Sequence, residues 1–172
     1  MAKKKKVNGK QKGNKFEREI ANIFSERFAE YTGIEQSFRR NPDSGSFFGG
    51  KNVARAETHD TDWAVYGDLI CPKAFRFVVE CKNYKKPPTF KSLMEDNVSE
   101  WDGWIEQVRA DARASGQYPM LIIKYNNVPI FVLLNYSDLN HGDYVIEYGG
   151  MRAFPIDTIL EQPDPFFFDT TK

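Results

Sequence analysis

The chain has 172 residues, of which 41% are apolar, and its 24 Lys and Arg balance 24 Asp and Glu, so we expect one domain with a substantial core. No apolar run approaches the roughly 20 residues that cross a bilayer, and no apolar stretch follows the first lysines as in a signal peptide. Its cysteines, Cys71 and Cys81, form neither a disulfide framework nor a metal-ligand spacing, which favours a cytoplasmic location.

Basic residues are concentrated at the start of the chain. Residues 1–55 hold 13 Lys and Arg against 6 Asp and Glu, whereas the remainder holds 11 against 18. This first third is therefore the candidate surface for a polyanion. Residues 1–14, rich in lysine, are too polar to pack, and we predict a flexible tail that either contacts phosphates or serves solubility. A domain over 15–160 and a second tail over 161–172 would follow.

The first predicted helix runs from Phe16 to about Tyr31, because apolar residues recur there at helical spacing. Glu17 lies about 50° from the centre of the apolar stripe, at the margin of the buried face. It is either an exposed glutamate favoured by the helix dipole or a carboxylate that reaches a metal site on an adjacent sheet.

A long connection rich in Gly, Ser and Arg follows, from Arg39 to Asp62. Connections of this length without regular structure are commonly functional. Several side chains in it are of the types that contact phosphates, and they are Arg39, Arg40, Ser44, Ser46, Lys51 and Arg55.

Two apolar runs, Val65–Ile70 and Phe75–Cys81, are predicted as the antiparallel strands of a hairpin. Asp68 lies near the end of the first, and Glu80 and Lys82 end the second on one face, because strand side chains alternate with period two. Two carboxylates suit Mg²⁺, and a neighbouring lysine suits metal-assisted hydrolysis of a phosphodiester. The alternative is a solvated ion pair at the end of a hairpin.

The second predicted helix spans Ser99–Ser115, with Ser99 as its cap and Gly116 as its end. Gln107 lies beside its buried stripe and faces either the sheet or a nucleic acid. Strands are predicted over 119–125 and 128–134, with a hairpin over 144–154. The order indicates a single α/β domain with a central mixed sheet flanked by helices.

Four motifs together resemble those of the PD-(D/E)xK nucleases, and most of all those of the archaeal-type Holliday junction resolvases. They are Lys12-Gly13-x-x-Phe16-Glu17-Arg18, Arg40 with Ser44-Gly45-Ser46, Gly67-Asp68, and Glu80-Cys81-Lys82. Phage-encoded nucleases of this group are similar. The resemblance implies a restriction-endonuclease-like fold and a homodimer that resolves four-way DNA junctions by paired symmetric nicks.

The resemblance also implies roles for individual residues. Asp68, Glu80, the Cys81 carbonyl and Glu17 would bind Mg²⁺, with Mn²⁺ as a substitute, and Lys82 would orient the attacking water. Phosphate contacts are implied for Lys12, Arg18, Arg40 and Ser44, with Arg39 and Ser46 as alternates and Lys51 and Arg55 nearby. The stretch between Ser46 and Asp68 is longer than in that family, which leaves Asp60 and Asp62 as rivals to Asp68.

Three alternatives stay open. A restriction-type or end-processing nuclease would use the same active site, and a non-catalytic DNA-binding module would keep the fold alone. The segment 162–168 loosely resembles peptides that dock into the bacterial sliding clamp, but packing of its phenylalanines on the core or on a dimer partner is the favoured interpretation. Its prolines are expected to bar regular structure.

Overall fold

The computed structural model describes residues 9–42, 66–135 and 144–169. Its helices are α1 (Gly9–Arg27), α2 (Ala29–Thr32), α3 (Phe90–Met94), α4 (Ser99–Ser115), α5 (Ile156–Leu160) and α6 (Asp164–Phe167). Its strands are β1 (Arg39–Arg40), β2 (Leu69–Ile70), β3 (Phe77–Tyr84), β4 (Tyr118–Tyr125), β5 (Phe131–Leu134), β6 (Ile146–Tyr148) and β7 (Met151–Pro155). Within these ranges, no helix is long and apolar enough to cross a membrane.

The central sheet has five strands in the order β3-β4-β5-β7-β6. β3 and β4 are parallel, with Glu80 opposite Leu121, and the other neighbours are antiparallel. Parallel neighbours need a crossover, which α4 supplies between them. The prediction of a mixed sheet flanked by helices, as in the restriction-endonuclease-like fold, is confirmed.

The sheet separates two apolar cores. Val79 and Cys81 of β3 belong to the core under α1, whereas Val78 belongs to the core under α4. Because side chains alternate along a strand, Glu80 and Lys82 emerge on the α4 side. The predicted buried stripes of both long helices are confirmed. Phe16, Ile20 and Phe24 are buried on α1, and the buried residues of α4 are Trp101, Trp104, Ile105, Val108 and Ala112.

Two helix starts differ from the predictions. α1 begins at Gly9, so residues 9–14 are helical and not part of a flexible tail. α4 has the predicted bounds, but Val98 is its N-cap residue and no side chain caps it, so the cap predicted at Ser99 was wrong. Gly116 ends α4 in the left-handed conformation, at φ 71°, as predicted.

The predicted hairpin between residues 65–70 and 75–81 was wrong. β2 pairs with β1, Ile70 opposite Arg39, and β3 pairs with β4 instead. The connecting residues pair with the C-terminal segment: the Arg76 N–H donates to the Phe167 carbonyl at 2.8 Å, and the Asp169 N–H donates to the Ala74 carbonyl at 2.8 Å. A turn does form here, since the Phe75 N–H donates to the Pro72 carbonyl at 2.9 Å. The residues after it pair with the C-terminal segment instead of with residues 65–70, and the Phe75 ring is buried among other aromatic rings.

The C-terminal segment belongs to the core under α1. Phe167 and Phe168 are only 0% and 2% exposed, and their rings lie 4.7 and 5.1 Å from that of Phe28. The prolines do not prevent a short helix, because Pro165 occupies its first turn, where no N–H is needed. Phe166 is half-buried against the same core, and this burial of the three rings supports the alternative of packing on the protein's own core.

Replacement of Phe167 by Ala is expected to lower the free energy of unfolding by about 3 kcal/mol, because it leaves a cavity among aromatic rings. The control is Phe90→Ala, since Phe90 is 79% exposed and its loss is expected to change stability by less than about 0.5 kcal/mol. Urea denaturation of both variants measures the difference. Equal stabilities would contradict the core position of residues 164–168.

Candidate active site

β3 and α4 hold an acidic, a basic and an amide side chain in one hydrogen-bonded group. The Lys82 Nζ lies 2.5 Å from Glu80 Oε1, and the Gln107 amide donates to the same oxygen at 2.8 Å. Lys82 also donates to Gln107 Oε1 at 3.1 Å. Glu80 is only 2% exposed, so this group fixes a buried carboxylate and the ammonium beside it. Gln107 thus contacts β3, one of its two predicted surroundings, and its side chain is also exposed to solvent.

Asp68 lies against the open edge of β3. Its N–H donates to the Val79 carbonyl at 2.7 Å, and its Oδ2 accepts the Cys81 N–H at 2.8 Å. In a strand, a residue's carbonyl points to the same side as its N–H, so the Cys81 carbonyl also faces this edge. Asp68 and Glu80 are thus brought together as predicted, although two hydrogen bonds replace the predicted hairpin.

Two residues that the sequence analysis did not assign to the site hold the turn before Asp68. The Asn41 side chain donates to the Gly67 carbonyl at 3.1 Å, and the Asn41 N–H donates to the Asp68 carbonyl at 2.8 Å. The Gly67 N–H donates to the carboxylate of Asp111 on α4. Asp111 lies four residues after Gln107 and therefore on the same side of α4. This spacing is the sequence signal that could have identified Asp111.

Glu17 reaches the other side of the same region from α1. It is 8% exposed, and its Oε2 lies 2.6 Å from the Arg40 Nε. A further Arg40 nitrogen donates to Asn14 Oδ1 at 3.2 Å. The structure therefore places Glu17 at the buried margin, as the helical stripe predicted, and places Arg40 in an ion pair with it.

The electrostatics of the site are those of crowded carboxylates. Burial raises the pKa of Glu80, and the charge of Asp68 raises it further against the effect of Lys82. Burial and Asp68 also raise the pKa of Glu17, although Arg40 opposes this. Burial disfavours the ammonium of Lys82, but Glu80 and Asp68 act in the opposite direction, and the pKa of Lys82 is raised on balance.

These donors fit a hard divalent cation. Mg²⁺ is commonly held by one or two carboxylates and keeps several waters, and Asp68, Glu80 and the Cys81 carbonyl provide such a set. Across the three described ranges, no three His, Cys, Asp or Glu side chains form a closed metal cage. The described residues therefore offer no third carboxylate for direct contact with the ion. Glu17, which is paired with Arg40, is better suited to contact the ion through a water molecule.

The remaining predicted DNA-contacting residues have different surroundings. Lys12 donates to the Tyr84 carbonyl and to Asn126 Oδ1, both at 3.1 Å, and so links the ends of β3 and β4. Arg18 and Arg39 are exposed, and a phosphate could reach them. Ser44, Ser46, Lys51 and Arg55, together with the rivals Asp60 and Asp62, lie outside the described residues.

Gly67→Ala is expected to displace Asp68 and to reduce both stability and any activity of the site. Gly67 has φ +74°, and a Cβ there would lie 2.5 Å from the Val79 carbonyl oxygen. We expect a loss of more than about 2 kcal/mol in the free energy of unfolding.

Gly33→Ala is the matched control, because Gly33 has φ +66° and a Cβ there would meet nothing within 4 Å. It is expected to cost only about 1 kcal/mol. Thermal and urea denaturation measure both variants, and equal losses would show that the close approach to β3 has no energetic role.

Residues 8–149 match a protein family described as "Phage putative PDDEXK endonuclease". The match covers both long helices, Asp68 and the whole of β3. Comparison with curated proteins and with solved structures finds no match.

Proposed function

Because the chain belongs to this phage PDDEXK endonuclease family, we propose that it is a Mg²⁺-dependent endonuclease that cleaves DNA at four-way junctions. The observation that carries the proposal is the meeting of Asp68, Glu80 and Lys82 at one edge of the sheet. Asp68 precedes β3, which carries Glu80 and Lys82, and all three side chains are held by hydrogen bonds to their surroundings.

In the proposed reaction, Asp68, Glu80 and the Cys81 carbonyl would hold the ion, and Glu17 would contact it through water. Mg²⁺, or Mn²⁺ in its place, supplies charge stabilisation at phosphorus and a more acidic water. Lys82 orients the attacking water, and Gln107 limits the positions that its Nζ can take. A substrate phosphate would compete with Glu17 for the Arg40 guanidinium, which forms bidentate contacts with phosphates readily.

The proposed four-way substrate and two-fold dimer rest on the motif resemblance and on the distribution of charge. The excess of basic over acidic residues lies in the first third of the chain, which includes the exposed Arg18 and Arg39. A junction with two-fold symmetry would match two copies of the site, one for each of the opposing strands.

A gel cleavage assay with Mg²⁺ tests the proposal, with a labelled mobile four-way junction beside linear duplex, single strand and a three-way flap. Symmetric nicks confined to the junction are expected, with no product when EDTA is added. Cleavage of every form would indicate a general nuclease, and cleavage of duplex at one sequence would indicate a restriction-type enzyme. Binding without cleavage of any DNA would overturn the catalytic assignment.

A further inference from the structure

The segment from Tyr84 to Met94 presents exposed apolar and basic side chains directly after the catalytic residues of β3. Phe90 is 79% exposed, Met94 is 71% exposed and Tyr84 is 43% exposed. Lysines are interspersed with them and are exposed as well, at Lys85, Lys86 and Lys91. We call residues 84–94 the aromatic-basic segment. Large apolar side chains with such exposure on a small protein commonly mark a binding surface.

The aromatic-basic segment is held to the fold at both ends. The Tyr84 ring lies 4.7 Å from that of Trp104 on α4. Thr89 caps α3 by accepting the Ser92 N–H at 3.1 Å, and Leu93 packs against the core under α4. Because the inner side of α3 is anchored in this way, its exposed apolar side is a fixed feature of the surface.

Phe90 and Met94 share one side of α3. They are four residues apart, so they lie one above the other on the helix. Tyr84 lies two residues after Lys82 and therefore on the same face of β3 as the catalytic lysine. Pro87 and Pro88 stiffen the connection between strand and helix. A ligand that contacts Tyr84 is thus adjacent to Lys82.

We propose that the aromatic-basic segment stacks on unpaired bases at a DNA branch point, next to the phosphate that is cut. This proposal rests on the proposed function and specifies its substrate. Aromatic and apolar side chains among lysines are the chemistry that binds single-stranded nucleic acid, since bases stack on rings while ammonium groups contact phosphates.

The charge of the segment favours DNA over a second protein surface. Among the described residues, one acidic side chain pairs with its three lysines, and this is Glu95, 3.8 Å from Lys91. Protein interfaces, in contrast, are poor in lysine at their centres. Apolar side chains are also known to enter between base steps and separate them, which a branch point already favours.

The test measures DNA binding by Phe90→Ala/Met94→Ala in an Asp68→Asn background, which keeps the DNA intact. The probes are a four-way junction and a flap with 2-aminopurine at the branch point, and a linear duplex of equal length. The double variant is expected to lose about 10-fold in affinity for both branched DNAs and to lose the change in 2-aminopurine fluorescence. Binding of the duplex is expected to weaken by less than about 2-fold.

Ile34→Ala is the matched control, because Ile34 is an apolar residue 57% exposed in the loop after α2. It should bind all probes as the background protein does. Equal losses of the double variant on duplex and branched DNA would overturn the proposal, as would unchanged binding. A shift from dimer to monomer in light scattering would also overturn it, since a second copy would then cover α3. Failure of the proposed function is a separate result, because it would appear as intact DNA in the cleavage assay with the unaltered protein.

Discussion

Asp68→Asn is expected to reduce DNA cleavage by about 1,000-fold or more, while the protein stays folded and still binds DNA. Asn keeps an oxygen that can accept the Cys81 N–H, now made at 2.8 Å, so the turn is expected to survive. What it loses is one of the two anionic oxygen donors proposed for the metal ion. Cleavage of the labelled junction with time, at saturating protein, measures the loss.

Asp157→Asn is the matched control for this variant, because Asp157 is an exposed aspartate in the first turn of α5. We expect it to cleave at the rate of the unaltered protein. Undiminished cleavage by Asp68→Asn would show that Asp68 is not part of the active site, and Asp60 and Asp62 would then be the candidates for its role.

Asp68→Asn is also expected to melt at a higher temperature than the unaltered protein when no metal is present. The charge of Asp68 raises the pKa of both Glu80 and Glu17, so its removal relieves repulsion between buried carboxylates. A gain of about 1 kcal/mol would raise Tm by roughly 2–4 °C. Differential scanning calorimetry in EDTA tests this, and a lower Tm would contradict a crowded acidic site.

The pH dependence has a definite sign. A carboxyl group whose pKa is raised on folding binds its proton more tightly in the folded state, so its stabilising contribution is complete below the unfolded value. That contribution is lost as the pH rises from about 4.5 through the raised pKa of Glu80. Metal-free protein should therefore lose stability across this range, Asp68→Asn should lose less, and added Mg²⁺ should restore stability at neutral pH to the unaltered protein.

Lys82→Met is expected to lower the cleavage rate by about 100- to 10,000-fold without abolishing metal binding. Methionine keeps the apolar stem but removes the ammonium that lies 2.5 Å from Glu80 and 3.1 Å from Gln107. Stabilisation by Mg²⁺ should persist, because both proposed carboxylate ligands remain. A lower cleavage rate with unchanged stabilisation by Mg²⁺ would show that Lys82 orients the water and does not hold the ion.

Lys124→Met is the matched control, because Lys124 lies on the adjacent strand β4 and also pairs with a glutamate, at 2.6 Å from Glu19. It should cleave normally. Rates are to be compared in Mg²⁺ by gel assay, with Tm shifts recorded for both variants. A Lys82→Met protein with the normal rate would show that another group orients the water.

The sequence by itself determined the buried faces of the two long helices and the face of β3 that carries Glu80 and Lys82. Helical spacing predicted the buried faces of α1 and α4 because a stripe of apolar residues can be buried in only one orientation of a helix. The same local geometry placed Glu17 at the margin of a buried face. Period-two alternation put Glu80 and Lys82 on one side of β3, where the structure has them in contact.

Only the tertiary structure decided how Asp68 reaches β3 and what surrounds it. The two-residue strand β2 pairs with β1. Two side chains hold the turn before Asp68. Asn41 lies 26 residues before Gly67 in the chain, and Asp111 lies on the separate helix α4. The C-terminal phenylalanines pack in the core under α1, and residues 74–76 form hydrogen bonds with this segment instead of with a hairpin partner. Periodic patterns report local geometry, whereas these contacts depend on which distant residues bury one another, and that is fixed only when the chain packs.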